Sequence, residues 1–256
     1  MNKLSDRLNR LSYSQTFVMS NKARDMKAAG IDVISLTLGE PDFDVPANIK
    51  QAAFDAINQN FSHYSPVPGF LELRQAIAKK LNRDNNLDYK PTQICVSNGA
   101  KQSILNVLAA VVNDGDEVIL PAPYWVSYDE MVKMMGGTSV FIETNIDTEF
   151  KMTAEQLEAA ITPKTKVILY SSPCNPSGSY YTKDELEKIA NVVAKYPYVT
   201  IISDEIYEYI NYDGKHTSIA EFPQVYEQTA VINGMSKAFA MTGWRIGYSA
   251  CPEWLA

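Results

Sequence analysis

Residues 167–207 read VILYSSPCNPSGSYYTKDELEKIANVVAKYPYVTIISDEIY, and the order of patterns inside them decides the fold. An apolar run, Val167 to Tyr170, breaks into an irregular Ser, Pro, Asn and Gly loop, a segment of helical period follows, and Val199 to Ser203 is apolar again. Runs this short that stay apolar on consecutive residues belong to strands buried on both faces, as in a parallel sheet. The helical piece opens on Thr182 and carries acidic residues in its first turn, where the helix dipole favours them.

The same alternation holds from about residue 92 onward. Further strand candidates are Ile94 to Val96, Val118 to Leu120, Ser139 to Ile142, Ala230 to Ile232 and Ile246 to Ser249. Together with the two above they predict an α/β fold with a mostly parallel seven-stranded sheet covered by helices on both faces. Thr153 starts TAEQLEAAI with a glutamine three residues on, the pattern of a capping box. Before residue 92 the order differs. Pro46 to Asn60 and Leu71 to Asn82 read as helices, and the irregular segment LGEPDFDVP precedes them. Residues 1–45 are therefore assigned to an N-terminal arm and part of a small domain, and 46–256 to a large domain.

The 256 residues are 46% hydrophobic, which is enough for a sizeable core. A formal charge of −7 with scattered basic residues carries no footprint for nucleic acid or an anionic membrane. The start, MNKLSDRLNRL, lacks the apolar stretch of a secretory signal, and no run approaches the length of a membrane span. Cys95, Cys174 and Cys251 are odd in number and lack metal-ligand spacing, which suits a cytoplasmic location and no metal. His63 and His216 are the only histidines, so a histidine-based triad has little to draw on.

Five segments stand out as candidate chemistry. NGMSKAFAMTGWRIG, residues 233–247, follows a strand and holds Lys237 among small neighbours, with Arg245 eight positions later. A lysine becomes a nucleophile when burial or a nearby cation lowers its pKa. Asp204 ends an apolar strand, where open α/β sheets place ligand-binding groups; an aspartate there equally well caps the next helix. SSPCNPSG offers Asn175 as a side-chain donor. SNGAKQS is a small-residue turn into a helix, whose free N–H groups make an anion cradle. PAPYWVSY offers Trp125 as a flat apolar face.

In this order these segments resemble fold-type I pyridoxal phosphate aminotransferases of class I, in particular their aspartate aminotransferase-like bacterial branch. GEPDFDVP, YSPVPGFLELR, SNGAKQS, DGDEVILPAPYWVSY, SSPCNPSG, SDEIYE and SKAFAMTGWRIGY each resemble one of its sequence blocks, over essentially the whole chain. The resemblance implies pyridoxal 5′-phosphate as cofactor and a ping-pong transfer of an amino group between an amino acid, aspartate or glutamate first, and a 2-oxo acid. It implies that Lys237 forms the Schiff base and moves the substrate proton, and that Asp204 pairs with the pyridinium nitrogen. Asn175 and Tyr207 are implied to bond the phenolic oxygen, and Trp125 to pack on the ring.

For the phosphate the resemblance implies Gly99, Ala100, Lys101, Ser236 and Arg245, with Tyr64 reaching the neighbouring subunit's cofactor in a homodimer. For the substrate it implies Gly39, Trp125, Asn175, Ser14, Thr16 and Lys101. Two departures stand beside it. Cys174 replaces the Asn or Ser found in many members, and the family generally continues beyond the position of Ala256. The further segment completes the small domain and carries the arginine for the substrate α-carboxylate, a part no residue here takes. The alternatives are a prephenate, aromatic or kynurenine aminotransferase, a C–S lyase, or an inactive truncated cofactor-binding fragment.

Overall fold

The computed structural model describes residues 3–13 and 15–256. In chain order the helices and strands are α1 (Asp6–Asn9), α2 (Gln15–Ala28), α3 (Ala47–Asn58), α4 (Leu71–Asn85), β1 (Ile94–Ser97), α5 (Ala100–Val111), β2 (Glu117–Ala122), α6 (Ser127–Met134), β3 (Thr138–Glu143), α7 (Ala154–Ala160), β4 (Thr165–Ser171), α8 (Lys183–Val193), β5 (Thr200–Asp204), α9 (Pro223–Tyr226), β6 (Thr229–Gly234) and β7 (Gly247–Ala250).

The seven strands form one sheet in the order β1-β7-β6-β5-β4-β2-β3. The pairs β2–β3, β2–β4, β4–β5 and β5–β6 are parallel, whereas β7 runs antiparallel to both β6 and β1. All seven expected strands are present, each within two residues of its expected limits.

Side-chain alternation divides the core. Successive strand residues point to opposite faces, so Val167 and Leu169 of β4 join Ile104, Leu108 and Val132 from α5 and α6. Ile168 and Tyr170 join Leu186, Ile189 and Val193 of α8 on the other face. A third cluster around Ile77, Leu81, Ile94 and Tyr248 packs α4 beneath β1 and β7. Both sheet faces are therefore covered, which explains why the strands read as unbroken apolar runs.

The expected caps form. Thr153 Oγ1 accepts from the Gln156 amide at 3.2 Å while Gln156 Oε1 accepts from the Thr153 amide at 2.9 Å. Thr182 and Glu185 make the same reciprocal pair at 3.3 and 2.7 Å, each box satisfying two amides that the helix leaves free. Helix α2 was not expected. Its apolar residues Phe17, Val18 and Met19 are consecutive rather than spaced by three or four, and all three are exposed. Helix α4 runs on from Asn82 to Asn85 and stops where Asn86 turns left-handed at φ 55°.

Candidate active site

The parallel strands β4 and β5 end side by side, with Ser171 opposite Asp204 in the register. This is the edge of an open α/β sheet at which ligands are bound. Asp204 is only 4% exposed and points toward α5 and α6. Its Oδ2 accepts a 2.6 Å hydrogen bond from the Tyr128 hydroxyl, and its Oδ1 accepts from the Ile206 amide at 3.2 Å. Asp204 therefore caps a local turn, though not a helix. Burial pushes its carboxyl up to about 6, against the two hydrogen bonds and with the help of the Glu205 charge.

Tyr207 lies one turn further on, and its hydroxyl accepts from Asn175 Nδ2 at 3.4 Å. Burial raises the phenol above its ordinary value, and the Asp204 charge adds to the rise. The Lys237 amine sits 6.0 Å from the centre of the Tyr207 ring and donates to the Gly39 carbonyl at 2.6 Å. Burial draws that amine below the ordinary lysine range; the Glu40 charge opposes the fall and the Arg245 guanidinium deepens it. A lowered amine is neutral for a larger fraction of the time and is the better nucleophile. Lys237 and Asn175 thus both neighbour Tyr207, three residues after Asp204.

The loop between β6 and β7 is closed at its neck. Gly234 and Gly247 are cross-strand partners, and the Met235 amide donates to the Ile246 carbonyl at 3.0 Å. Inside the loop, Arg245 adopts φ 58° and its guanidinium donates to the carbonyls of Thr242 at 2.9 Å and Asn98 at 3.3 Å. The Thr242 hydroxyl bonds the Glu40 carboxylate at 2.6 Å, docking the segment that contains Gly39 onto the same loop. Ser236 is nearly buried, with its carbonyl accepting from the Met241 amide.

Arg245 faces the start of α5. Gly99, the residue before that helix, has φ +87°, and a Cβ there would lie 2.3 Å from the Arg245 Nη2. A Cβ on Gly247 would lie 2.2 Å from the Ala100 nitrogen. The amides of Ala100 and Lys101 have no acceptor among the described residues. Two free amides at a helix start beside a guanidinium match the oxygens of a phosphate monoester. Close by, the Lys101 amine lies 4.8 Å from the Trp125 ring centre, and burial, then Arg245, lowers its pKa. Trp125 stands edge-to-face with Tyr128 at 5.5 Å.

Lys237, Tyr207, Asn175, Asp204, Trp125, Lys101, Arg245, Gly99, Ala100, Ser236 and Gly39 therefore converge on one end of the sheet. Tyr64 does not join them and is fully exposed. Thr16 lies on α2 and has no hydrogen bond to the site among the described residues, and Ser14 lies outside the described residues. Tyr128 escaped the sequence reading. Its position three residues after Trp125 places both on one side of the turn entering α6, and that spacing was the available signal. No helix among the described residues is long and apolar enough to cross a membrane.

Residues 31–256 match the family described as aminotransferase class I and II. A probable aspartate/prephenate aminotransferase of Rhizobium leguminosarum bv. phaseoli is 51% identical over 251 residues, covering 97% of this chain and 63% of the relative. An aspartate aminotransferase of Bacillus sp. (strain YM-2) is 50% identical over 249 residues, covering 96% and 63%. The crystal structure of the Rhizobium meliloti aspartate aminotransferase superposes with TM-score 0.96 at 41% identity, covering 100% of this chain and 64% of that one. The Thermus thermophilus aspartate aminotransferase with maleate also gives 0.96, at 42% identity, covering 100% and 66%. The chain thus spans just under two thirds of the length of the curated relatives named here. By this match and by identities of 50% and more, the chain belongs to the class I and II aminotransferases, a family that works with pyridoxal 5′-phosphate.

Proposed function

We propose that this chain carries the cofactor-binding part of an aminotransferase that moves an amino group between aspartate or glutamate and a 2-oxo acid. The observation that carries the reading is the half-buried Lys237 amine, lowered in pKa, at the same sheet end as buried Asp204 and the Arg245–Gly99 cradle. Bound there, pyridoxal phosphate supplies a protonated ring that accepts the electron pair left when a proton departs from the substrate Cα. Every other task falls to the chain.

Lys237 would provide the amine that holds the cofactor covalently, and its free amine would take and return the Cα proton. Asp204 would pair with the ring nitrogen, where its negative charge would hold the proton. Asn175 and Tyr207 would bond the phenolic oxygen, and Trp125 would cover the ring. The free amides of Ala100 and Lys101, the glycine backbone at Gly99, the Ser236 hydroxyl and the Arg245 fork would hold the phosphate. Gly39, Trp125, Asn175, Ser14, Thr16 and Lys101 are assigned to the substrate, with the Lys101 cation suited to a second carboxylate. The names of the relatives, aspartate and aspartate/prephenate aminotransferase, support acidic substrates.

Tyr64 is assigned to the phosphate of a partner subunit in a homodimer, which agrees with its complete exposure. Residues 1–45 are assigned to the arm and small domain and 46–256 to the cofactor domain. The absence of disulfides among the three cysteines agrees with a cytoplasmic enzyme. The test is to titrate pyridoxal phosphate into the wild-type chain and Lys237→Ala while recording visible absorption. A pH-dependent band in the first and none in the second is expected; identical spectra overturn the assignment. Substrate profiling with aspartate, phenylalanine and prephenate on the full-length protein then ranks the donors.

A further inference from the structure

Behind the turn that carries Asp204 and Tyr207 lie two buried carboxylates that the reaction does not use. Glu205 is 1% exposed and Glu208 is 7% exposed. Because neighbouring residues leave a strand on opposite sides, Asp204 faces α6 while Ser203 and Glu205 face away. Glu205 Oε1 accepts from the hydroxyls of Ser203 at 2.9 Å and Ser218 at 2.7 Å, and its Oε2 meets His216 Nε2 at 2.9 Å. Glu208 Oε1 accepts from Lys80 and from Asn233 Nδ2, the latter at 2.9 Å, and its Oε2 accepts from Asn85 Nδ2 at 2.9 Å.

These partners come from four separate places: α4, β5, β6 and the stretch just before α9. Each of the four carboxylate oxygens is already bonded, so although donor atoms of Glu205, Glu208 and His216 lie within 4.8 Å of one another, the cluster is a closed network. A buried carboxylate is tolerated only when its hydrogen bonds are complete, and breaking one partner is then far more disruptive than at a surface. The Glu208 amide also donates to the Glu205 carbonyl at 3.0 Å, tying the two ends of the turn together.

We infer that Glu205 and Glu208 are positioning residues, two buried anchors that clamp the Asp204–Tyr207 turn from behind so that acid and phenol keep their aim on the cofactor. This rests on the reading of the site given above. Neither residue reaches the cofactor side; both act through the backbone between them. His216 and Ser218 serve the same end by completing Glu205, and Lys80, Asn85 and Asn233 by completing Glu208.

The experiment compares Glu205→Ala, Glu205→Gln and Ser218→Ala in the full chain, by amide hydrogen exchange without cofactor and by pyridoxal phosphate titration. Exchange at Ile206 and Glu208, relative to the amide of Leu169 in the core, is expected to quicken about tenfold in Glu205→Ala, with cofactor affinity falling by a similar factor. Glu205→Gln keeps an oxygen for the two hydroxyls and an amide group for a neutral His216, so it restores most of both. If Glu205→Ala does not fold, Ser218→Ala moves both readouts in the same direction by a smaller factor. Unchanged relative exchange in the folded variants, or quickened exchange with wild-type cofactor affinity and an unshifted pH profile of the band, overturns the inference. A wild-type chain that forms no band sinks the cofactor assignment instead, and the exchange ratios still decide whether the turn is clamped.

Discussion

The Tyr128 hydroxyl donates a 2.6 Å hydrogen bond to the Asp204 carboxylate, joining α6 to the end of β5 inside the core. The phenol is buried and held well above its ordinary pKa, first by burial and then by the Asp204 charge, so it stays a donor throughout the working range. Its bond favours the ionised acid. Tyr128→Phe removes that support, and Asp204 then titrates above about 6. Cofactor affinity near neutral pH is expected to fall about tenfold, roughly 1.4 kcal/mol, measured by absorbance titration across a pH series. Unaltered affinity at every pH counts against a tuning role.

Asp204 sets function against stability. Its carboxyl titrates at about 6 in the fold, against a reference value of 3.8. The fold therefore binds the proton more tightly than the unfolded chain, and stability falls as pH rises through the window between those values. The difference corresponds to about 3 kcal/mol at most, since one pKa unit is roughly 1.4 kcal/mol. Asp204→Asn is expected to stabilise the cofactor-free chain at about pH 8 and to change little at about pH 4, by urea unfolding, while cofactor chemistry is lost.

Arg245 is assigned to charge recognition, so its removal is expected to discriminate between ligands that differ only in the phosphate. Arg245→Gln weakens pyridoxal phosphate by about tenfold or more and leaves pyridoxal, which lacks the phosphate, within about twofold. Competition with inorganic phosphate gives the same ranking. Equal losses for both ligands place the arginine elsewhere in the mechanism.

Gly99 is a position with no room for a methyl group. Its φ of +87° with ψ 157° belongs to a region open essentially only to glycine, and the Arg245 guanidinium already occupies the space of a Cβ. Gly99→Ala is expected to destabilise the chain by about 1–3 kcal/mol from backbone strain alone. It also displaces the guanidinium, so phosphate affinity drops with stability; thermal unfolding with and without cofactor measures both.

The legible parts of this molecule are those written locally. Strands β4 and β5 announce themselves because both sheet faces are covered and their central residues, Val167–Tyr170 and Ile201–Ile202, are apolar in succession. The ends of β4 and β6 were read short by a residue or two because Thr165 and Thr229 pair in the ladder outside the apolar runs and Gly234 has no side chain to mark it. Asp204 and Lys237 were readable from their places after strands. Tyr128 was not, because its partner is 76 residues away, and neither was the Glu205 network, whose His216 lies beyond an exposed loop. Helix α2 stayed hidden because its apolar residues form no single stripe and bury nothing.

The neck at Gly234 and Gly247 has an implication for remodelling this protein. A Cβ on Gly234 would strike the Ile246 carbonyl at 2.7 Å, so the chain crosses there with no room to widen. Lys237 and Arg245 consequently ride on a single clasped segment, like two prongs on one mount. Their spacing is inherited from the clasp, and a redesign for a longer or shorter phosphorylated aldehyde has to add or delete residues between the prongs; exchanging side chains along the segment leaves the gauge as it was.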